Sequence, residues 1–474
     1  MPRIEVESPA ARAAPFIVER VGDVARPTAA LPAGRELAHV PGERGVLLGL
    51  TNVIKWMRRG VHHLDAQRER WGPVYKTKFG PMPAVCVADP ELIAEILRNE
   101  DGVWSAAVAW WTYFGGLDPA GGPFDMAPTL DFEPHRECRR LMQPAFTATA
   151  SAGYLEILTP MLEQAIAGWQ ARGTIAAKPE IHRLLSLASA RMFLGIEREG
   201  EFLERAIQDL WEAPLAVAHN RFVSRKWRRA LAGFNRLQDA LLAQIPARRA
   251  EGGKDLFSQL CLASRDEVGL ADKTLVHTMI GVLLGAFESS ASGITSLVYL
   301  LAHHPDWQER LRRELLALGP GRVAYADMRG LDDCELVWKE TLRLFPVTGH
   351  VPRVALRDVT LGAWDIPAGT YVHVQLPTMM HHPRWWSEPL RFDPERFSPE
   401  RAEDRRHKGV YLPFGAGAHA CIGQFFSGVQ AKAFLHALLT RCRVRLERDY
   451  VGHHTYGTLG SVSGDIRVVL GPLA

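Results

Sequence analysis

Cysteine is scarce. The 474 residues hold six, at Cys86, Cys138, Cys261, Cys334, Cys421 and Cys442, with no C-x-x-C among them. That is too few and too scattered for a disulfide scaffold. It fits a reducing compartment and leaves one cysteine free for a special task. Charge of one sign is lacking as well: 56 Lys+Arg against 53 Asp+Glu gives +3, without the basic excess of a nucleic-acid binder. The start, Met1-Pro-Arg-Ile-Glu-Val-Glu7, has no apolar stretch of the kind a signal peptide needs. No N-terminal membrane anchor is visible there, so a soluble cytoplasmic protein is expected. No G-x-S-x-G elbow, Walker A loop or H-E-x-x-H occurs. The doublets His62-His63, His303-His304, His381-His382 and His453-His454 lack zinc-enzyme spacing and read as mostly surface or turn residues. Ser- or Gly-rich linkers and internal repeats are missing too. With 47% hydrophobic residues, the chain has ample material for a core, which excludes disorder.

One long apolar run is present. From Thr274 to Ala302 the ionisable side chains are His277, Glu288 and Tyr299 alone. Its length suits a bilayer, but a lone Glu in mid-membrane is costly, so a buried central helix is expected. Strands are expected at 74–79 and 84–88, with a helix from Asp89-Pro90 onward. Residues 101–131, rich in Gly, Pro and aromatics, read as a long irregular loop. From about 132 to 320 helical periodicity dominates, including one helix over 225–249. Short strands are expected over 353–375 and a last helix over 422–441. The chain therefore reads as a loosely held arm, 1–40, and one mainly helical domain with a minor β part, 41–474.

The sharpest signal is Pro413-Phe-Gly-Ala-Gly-Ala-His-Ala-Cys-Ile-Gly423, a glycine-rich turn leading into an apolar-striped helix (Ile422, Phe425, Val429, Ala433, Ala437). Cys421 is thus expected at a helix N-terminus, where free N–H groups favour a thiolate that can ligate a metal or act as a nucleophile. An inert buried cysteine is the plain alternative. Gly415–Ala420 also satisfies G-x-G-x-x-G/A. Pro413 before it and Thr440 and Arg441 about 20 residues on argue against a dinucleotide site.

Phe414-Gly-x-Gly-x-His-x-Cys-x-Gly423 resembles the haem-binding signature of the cytochrome P-450 family, the haem–thiolate monooxygenases. Further motifs occur in the family's order. Trp71-Gly-Pro-Val-Tyr75 resembles the entry to the first sheet, and His135-Arg-Glu-Cys-Arg139 the H-x-x-x-R helix beneath the haem. Glu340-Thr-Leu-Arg343 resembles E-x-x-R, and Phe392-Asp-Pro-Glu-Arg-Phe397 the following P-E-R-F segment.

The resemblance implies the helix-rich prism of that family and haem b as cofactor. It assigns Cys421 as iron ligand, Phe414 and Gly423 to the surrounding loop, and His135, Arg139, Arg353 and His419 to the propionates. Glu340, Arg343 and Arg396 are implied as a buried structural trio. Gly285-Ala-Phe-Glu-Ser-Ser290 resembles the oxygen-activation motif, with Ala286 and Ser289 in place of the usual glycine and threonine. Glu288 and Ser289 would there form an acid–alcohol proton relay. The implied reaction is monooxygenation of a hydrophobic substrate. Electrons would come from NAD(P)H through an acidic ferredoxin or flavodoxin, docking near Arg136, Arg140, Arg405, Arg406 and Lys408. Pocket walls are expected from 104–124, 205–232, Leu283–Phe287, Val347–Val351 and Thr455–Val462. An isomerase, dehydratase or peroxide-using enzyme of the same fold, or a non-catalytic haem protein, are the alternative readings.

Overall fold

The computed structural model describes residues 18–21, 24–27, 37–43, 48–79, 82–117, 126–196, 200–216, 221–253, 255–266, 271–319, 323–456 and 459–473. Helices dominate, and a five-stranded sheet runs in the order Val74–Phe79, Met82–Val87, Tyr371–Val374, Val351–Ala355, Trp104–Ser105. Tyr371–Val374 runs parallel to Met82–Val87 and antiparallel to Val351–Ala355, pairing Val372 with Arg353. Two cores result: a small one on this sheet, built from residues such as Val85, Ile93 and Val372, and a large one around the central helix.

The central helix, Asp272–His303, is the helix long and apolar enough to cross a membrane among the described residues. Its apolar side chains are covered by protein instead. Leu275, Ile280, Leu283, Phe287, Ile294 and Leu301 are all buried. Gly293 shows how closely its neighbours approach: a Cβ there would lie 2.7 Å from the Trp338 ring. Packing that tight converts apolar area into stability at about 25 cal/mol per Å².

The structure corrects four expectations. The 101–131 stretch is not one loop. Ser105 caps a helix, Ala106–Phe114, by accepting the Val108 N–H, and residues 118–125 lie outside the described set. The 225–249 helix is two, Arg225–Leu242 and Ile245–Glu251, the second opened by Pro246. The helix after the cysteine loop, Gln424–Leu439, is embedded rather than amphipathic. Gln430, Lys432 and His436 are buried beside Val429 and Ala433, whereas Phe425 of the expected stripe is 78% exposed. Finally, three doublets each bury one histidine, His63, His381 and His454. Burial pushes His454 down to about 4, so that its ring is neutral where it meets the Pro346 carbonyl. Within the expected arm, Val18–Val21 and Val24–Pro27 form an antiparallel hairpin, and Leu37 and Val40 join the sheet core.

Candidate active site

The cysteine loop is fixed by its glycines. Gly415 and Gly417 both have φ of 70°, and a Cβ on Gly417 would lie 1.9 Å from the Leu97 carbonyl oxygen. The Cys421 N–H donates to the Phe414 carbonyl at 2.9 Å, closing the turn. Gln424 is the first helical residue and Gly423 its cap, so Cys421 lies three residues ahead of the helix. Of the six cysteines it alone has an exposed side chain. The protein mass around its recess still desolvates the thiol and pushes it up, opposed by the Gly423 N–H and the Arg139 charge.

Around this loop the structure gathers the four residues expected at the propionates. The His135 and His419 rings lie 3.9 Å apart. Arg139 is close enough for its charge to be felt at Cys421, and Arg353 bears on His135 and His419. Arg353 is 3% exposed, yet among the described residues its guanidinium makes one hydrogen bond, to the Pro352 carbonyl at 2.8 Å. A guanidinium has five N–H donors, so four are left unanswered by the protein on a residue that is otherwise enclosed. Burial pushes Arg353 down to about 10, with Asp131 and Tyr371 opposing. His135 is held down at about 3 by burial, with His419 and Arg139 adding to the effect, so it is a neutral donor. Donors that the protein leaves open beside an exposed cysteine fit an anionic, iron-bearing group such as haem, whose two carboxylates would complete them.

Asp131 is a member the sequence did not reveal. Its carboxylate accepts from the N–H groups of Ala106 and Ala107, at 2.9 and 3.2 Å, and from the Ser105 hydroxyl, and lies 3.5 Å from His419. Burial alone would raise its pKa; His419 and Ser105 hold it low. It ties the start of the Ala106–Phe114 helix to the cysteine loop. Ser105 before an Ala/Val run is a cap signature that a closer look at the sequence could have found.

The trio Glu340, Arg343 and Arg396 is wholly buried, each at 0% exposure. Arg343 donates to both Glu340 oxygens, at 2.6 and 2.9 Å, and to the carbonyls of Met380, Pro389 and Arg391. Arg396 donates to Glu340 and Glu403, both at 3.1 Å, and to the carbonyls of Ser387, Glu388 and Arg391. Glu403, 1% exposed, and Arg401, 2.8 Å from it, extend the network beyond the trio.

Midway along the central helix Gly285 is exposed and Ala286, Ser289 and Ser290 half-buried, so this stripe faces open space. Within the expected wall Leu283–Phe287, Leu283, Leu284 and Phe287 are buried in the large core and Ala286 is half-buried against it. The Ser289 hydroxyl donates to the Gly285 carbonyl. Glu288 does not meet Ser289: its carboxylate lies 3.5 Å from His182 Nδ1. Of the other expected walls, Trp110, Tyr113 and Val347 pack half-buried against the core, whereas 118–124, 217–220 and 457–458 lie outside the described residues. The Tyr113 hydroxyl and His350 Nε2 are 3.4 Å apart, with His350 pushed down to about 4 by burial.

Comparison with known proteins agrees with this geometry. The family model described as Cytochrome P450 matches residues 41–462. The chain is 31% identical to cytochrome P450 136 of Mycobacterium tuberculosis over 93% of this chain and 90% of that one. It is 29% identical to cyclooctat-9-en-7-ol 5-monooxygenase of Streptomyces melanosporofaciens, over 84% of this chain and 88% of the relative. To pentalenene oxygenase of Streptomyces avermitilis it is 28% identical, over 83% and 88%. The fold matches a solved structure of a retinoic-acid-bound cyanobacterial CYP120A1 at TM-score 0.83 and 22% identity, covering 94% of this chain and 100% of that one. A buried, donor-rich cradle around one exposed cysteine, on this fold and with these relatives, has one reading: the chain belongs to the cytochrome P450 family and is a haem-dependent monooxygenase.

Proposed function

We propose that this enzyme inserts one oxygen atom of O2 into a hydrophobic small organic substrate, by hydroxylation or epoxidation, with electrons from NAD(P)H through a ferredoxin or flavodoxin. The observation that carries the reading is the pairing of exposed Cys421 with the open donors of buried Arg353. Cys421 would hold the iron as thiolate, while Arg353, Arg139, His135 and His419 would hold the propionates, with Phe414 and Gly423 shaping the loop. When bound, thiolate-ligated haem supplies the electron push that favours O–O cleavage.

The chain's own part is to orient the substrate, exclude water and meter protons. Ser289 spends its donor on the Gly285 carbonyl, so its lone pairs remain to accept from a water in the opening. Glu288 would fetch protons from the other side of the helix. Half-buried Trp110, Tyr113, Ala286 and Val347 suit an apolar ligand, with neutral His350 as a polar handle. The two relatives named for oxygenating cyclooctat-9-en-7-ol and pentalenene make those compounds the first to screen. Arg136, Arg140, Arg405, Arg406 and Lys408 are exposed, although Arg136 already holds Glu133 and Arg406 faces Glu403. An acidic partner steered by such charges loses rate as salt shortens the Debye length below about 8–10 Å. The six cysteines form no disulfide, in keeping with a cytoplasmic location.

The test is NADPH-driven turnover under 18O2 with surrogate redox partners, on compounds that first pass a spectral binding screen. One 18O atom in the product is expected, and Ser289→Ala should divert reducing equivalents to hydrogen peroxide. Conversion that needs no O2 and no electrons would sink the monooxygenase reading in favour of an isomerase or dehydratase.

A further inference from the structure

Glu288 faces away from the residue with which its motif pairs it. Neighbouring residues on a helix point about 100° apart, and here Ser289 turns to its own helix while Glu288 turns to another. That second helix, Ala177–Leu194, packs along the central helix. Between them Glu288 Oε2 lies 3.5 Å from His182 Nδ1, with the side chains 16% and 13% exposed. Among the described residues this is the only ion pair or hydrogen bond that Glu288 makes. The other ring nitrogen, His182 Nε2, is buried with no hydrogen-bond partner. A secluded carboxylate with a single partner takes its orientation from that partner, because an unpaired charge there is costly. An imidazole placed merely to fill space would not turn one nitrogen to the one acidic side chain in the middle of the central helix and leave the other unanswered.

We propose that His182 is a positioning residue for proton delivery: it fixes the Glu288 carboxylate through Nδ1 and touches neither substrate nor cofactor. The inference rests on reading Glu288 as the proton-fetching acid. It makes an asymmetric demand on substitutions. In His182→Asn the amide nitrogen takes the place of Nδ1, so Glu288 keeps its donor. In His182→Gln the amide nitrogen takes the place of Nε2, so Glu288 loses it. The two variants change size little, and a packing role would not tell them apart in this way.

The experiment uses the haem-loaded enzyme and follows NADPH-driven oxygen consumption without added substrate, supported by a plant-type ferredoxin and its reductase. His182→Ala and His182→Gln should slow oxygen consumption by roughly tenfold or more, the scale for groups that orient a working residue. His182→Asn should stay near the parent, and added imidazole should restore His182→Ala. The solvent deuterium isotope effect should rise in the slow variants. His182→Ala combined with Glu288→Gln should be no slower than Glu288→Gln alone, since the two act in series. A readout independent of turnover is the 15N spectrum of histidine-labelled protein in its carbon monoxide form, where Glu288→Gln should move the His182 Nδ1 resonance. Equal rates for His182→Asn and His182→Gln, or an unmoved resonance, overturn the proposal. A slow Glu288→Gln with a normal His182→Ala overturns the positioning role and leaves the relay acid standing. A normal Glu288→Gln removes the relay reading itself, and this inference with it.

Discussion

Two clusters of buried arginine differ in one respect. Arg343 and Arg396 are 0% exposed and use all five N–H donors each, on Glu340, Glu403 and backbone carbonyls. Arg353 is 3% exposed and uses one, on the carbonyl of the residue before it. The same side chain at the same depth is thus closed in one place and open in the other. A closed network is complete without a ligand, and its value lies in stability. An open one is a standing demand for an anion, and its value lies in what binds. In this pair, answered donors go with structure and donors left open go with a site.

The largest effect should come from breaking the closed cluster. Removing one partner of a buried charge network costs about 3–5 kcal/mol, against a net stability of about 5–15 kcal/mol. Arg343→Ala is expected to leave little soluble, haem-loaded protein, and normal yield with full haem content would break the comparison. Next, Cys421→Ala should remove the red-shifted Soret band of the reduced carbon monoxide form while the protein still folds, and Cys442→Ala should keep the band. If the band survived the first change and vanished with the second, the open site would be misplaced.

Arg353→Ala should behave opposite to Arg343→Ala. Taking away an under-satisfied buried cation should leave the melting temperature of the haem-free protein unchanged or raised. Yet a charged hydrogen bond is worth about 1.5–3 kcal/mol, so haem should pass to an acceptor apoprotein roughly ten- to a hundredfold faster. Loss of folding in this variant would mean that Arg353 belongs with the closed kind.

The smallest effect sharpens the closed cluster by pH. Burial would raise Glu403, but Arg401 and Ser387, with Arg396, hold it down at about 2. An unfolded glutamate titrates at about 4.3. Because the folded value is the lower, its stabilisation is fully present above about 4.3 and is lost as pH falls toward 2. Thermal melts should show Glu403→Gln less stable than the parent at neutral pH, with a shallower loss of stability between those acid limits. Parallel slopes would place Glu403 outside the network.

Much of this contrast could be read from residue order. Glu340-Thr-Leu-Arg343 spaces acid and base one helical turn apart, and Phe392–Phe397 carries the second arginine. Glu403, which meets Arg396, and Arg401, which meets Glu403, were missed because the short turn after Phe397 that brings them back has a shape no periodicity announces. The Ala106–Phe114 helix was missed because its aromatic, glycine-flanked stretch hides a short helix set by one serine cap. Local spacing reported the strands and the long helices well, since each rests on contacts within a few residues.

By itself the sequence determined the cysteine loop, since only glycine fits Gly415 and Gly417 at positive φ. It also determined the central helix, whose apolar run can be stable only when covered. Tertiary structure alone decided which cations would be answered and which left open, because hydrogen-bond supply depends on carbonyls brought from distant segments. It likewise decided that Glu288 meets His182 rather than Ser289. Adjacent residues on a helix face different neighbours, and only the packing of a second helix says which neighbour stands there.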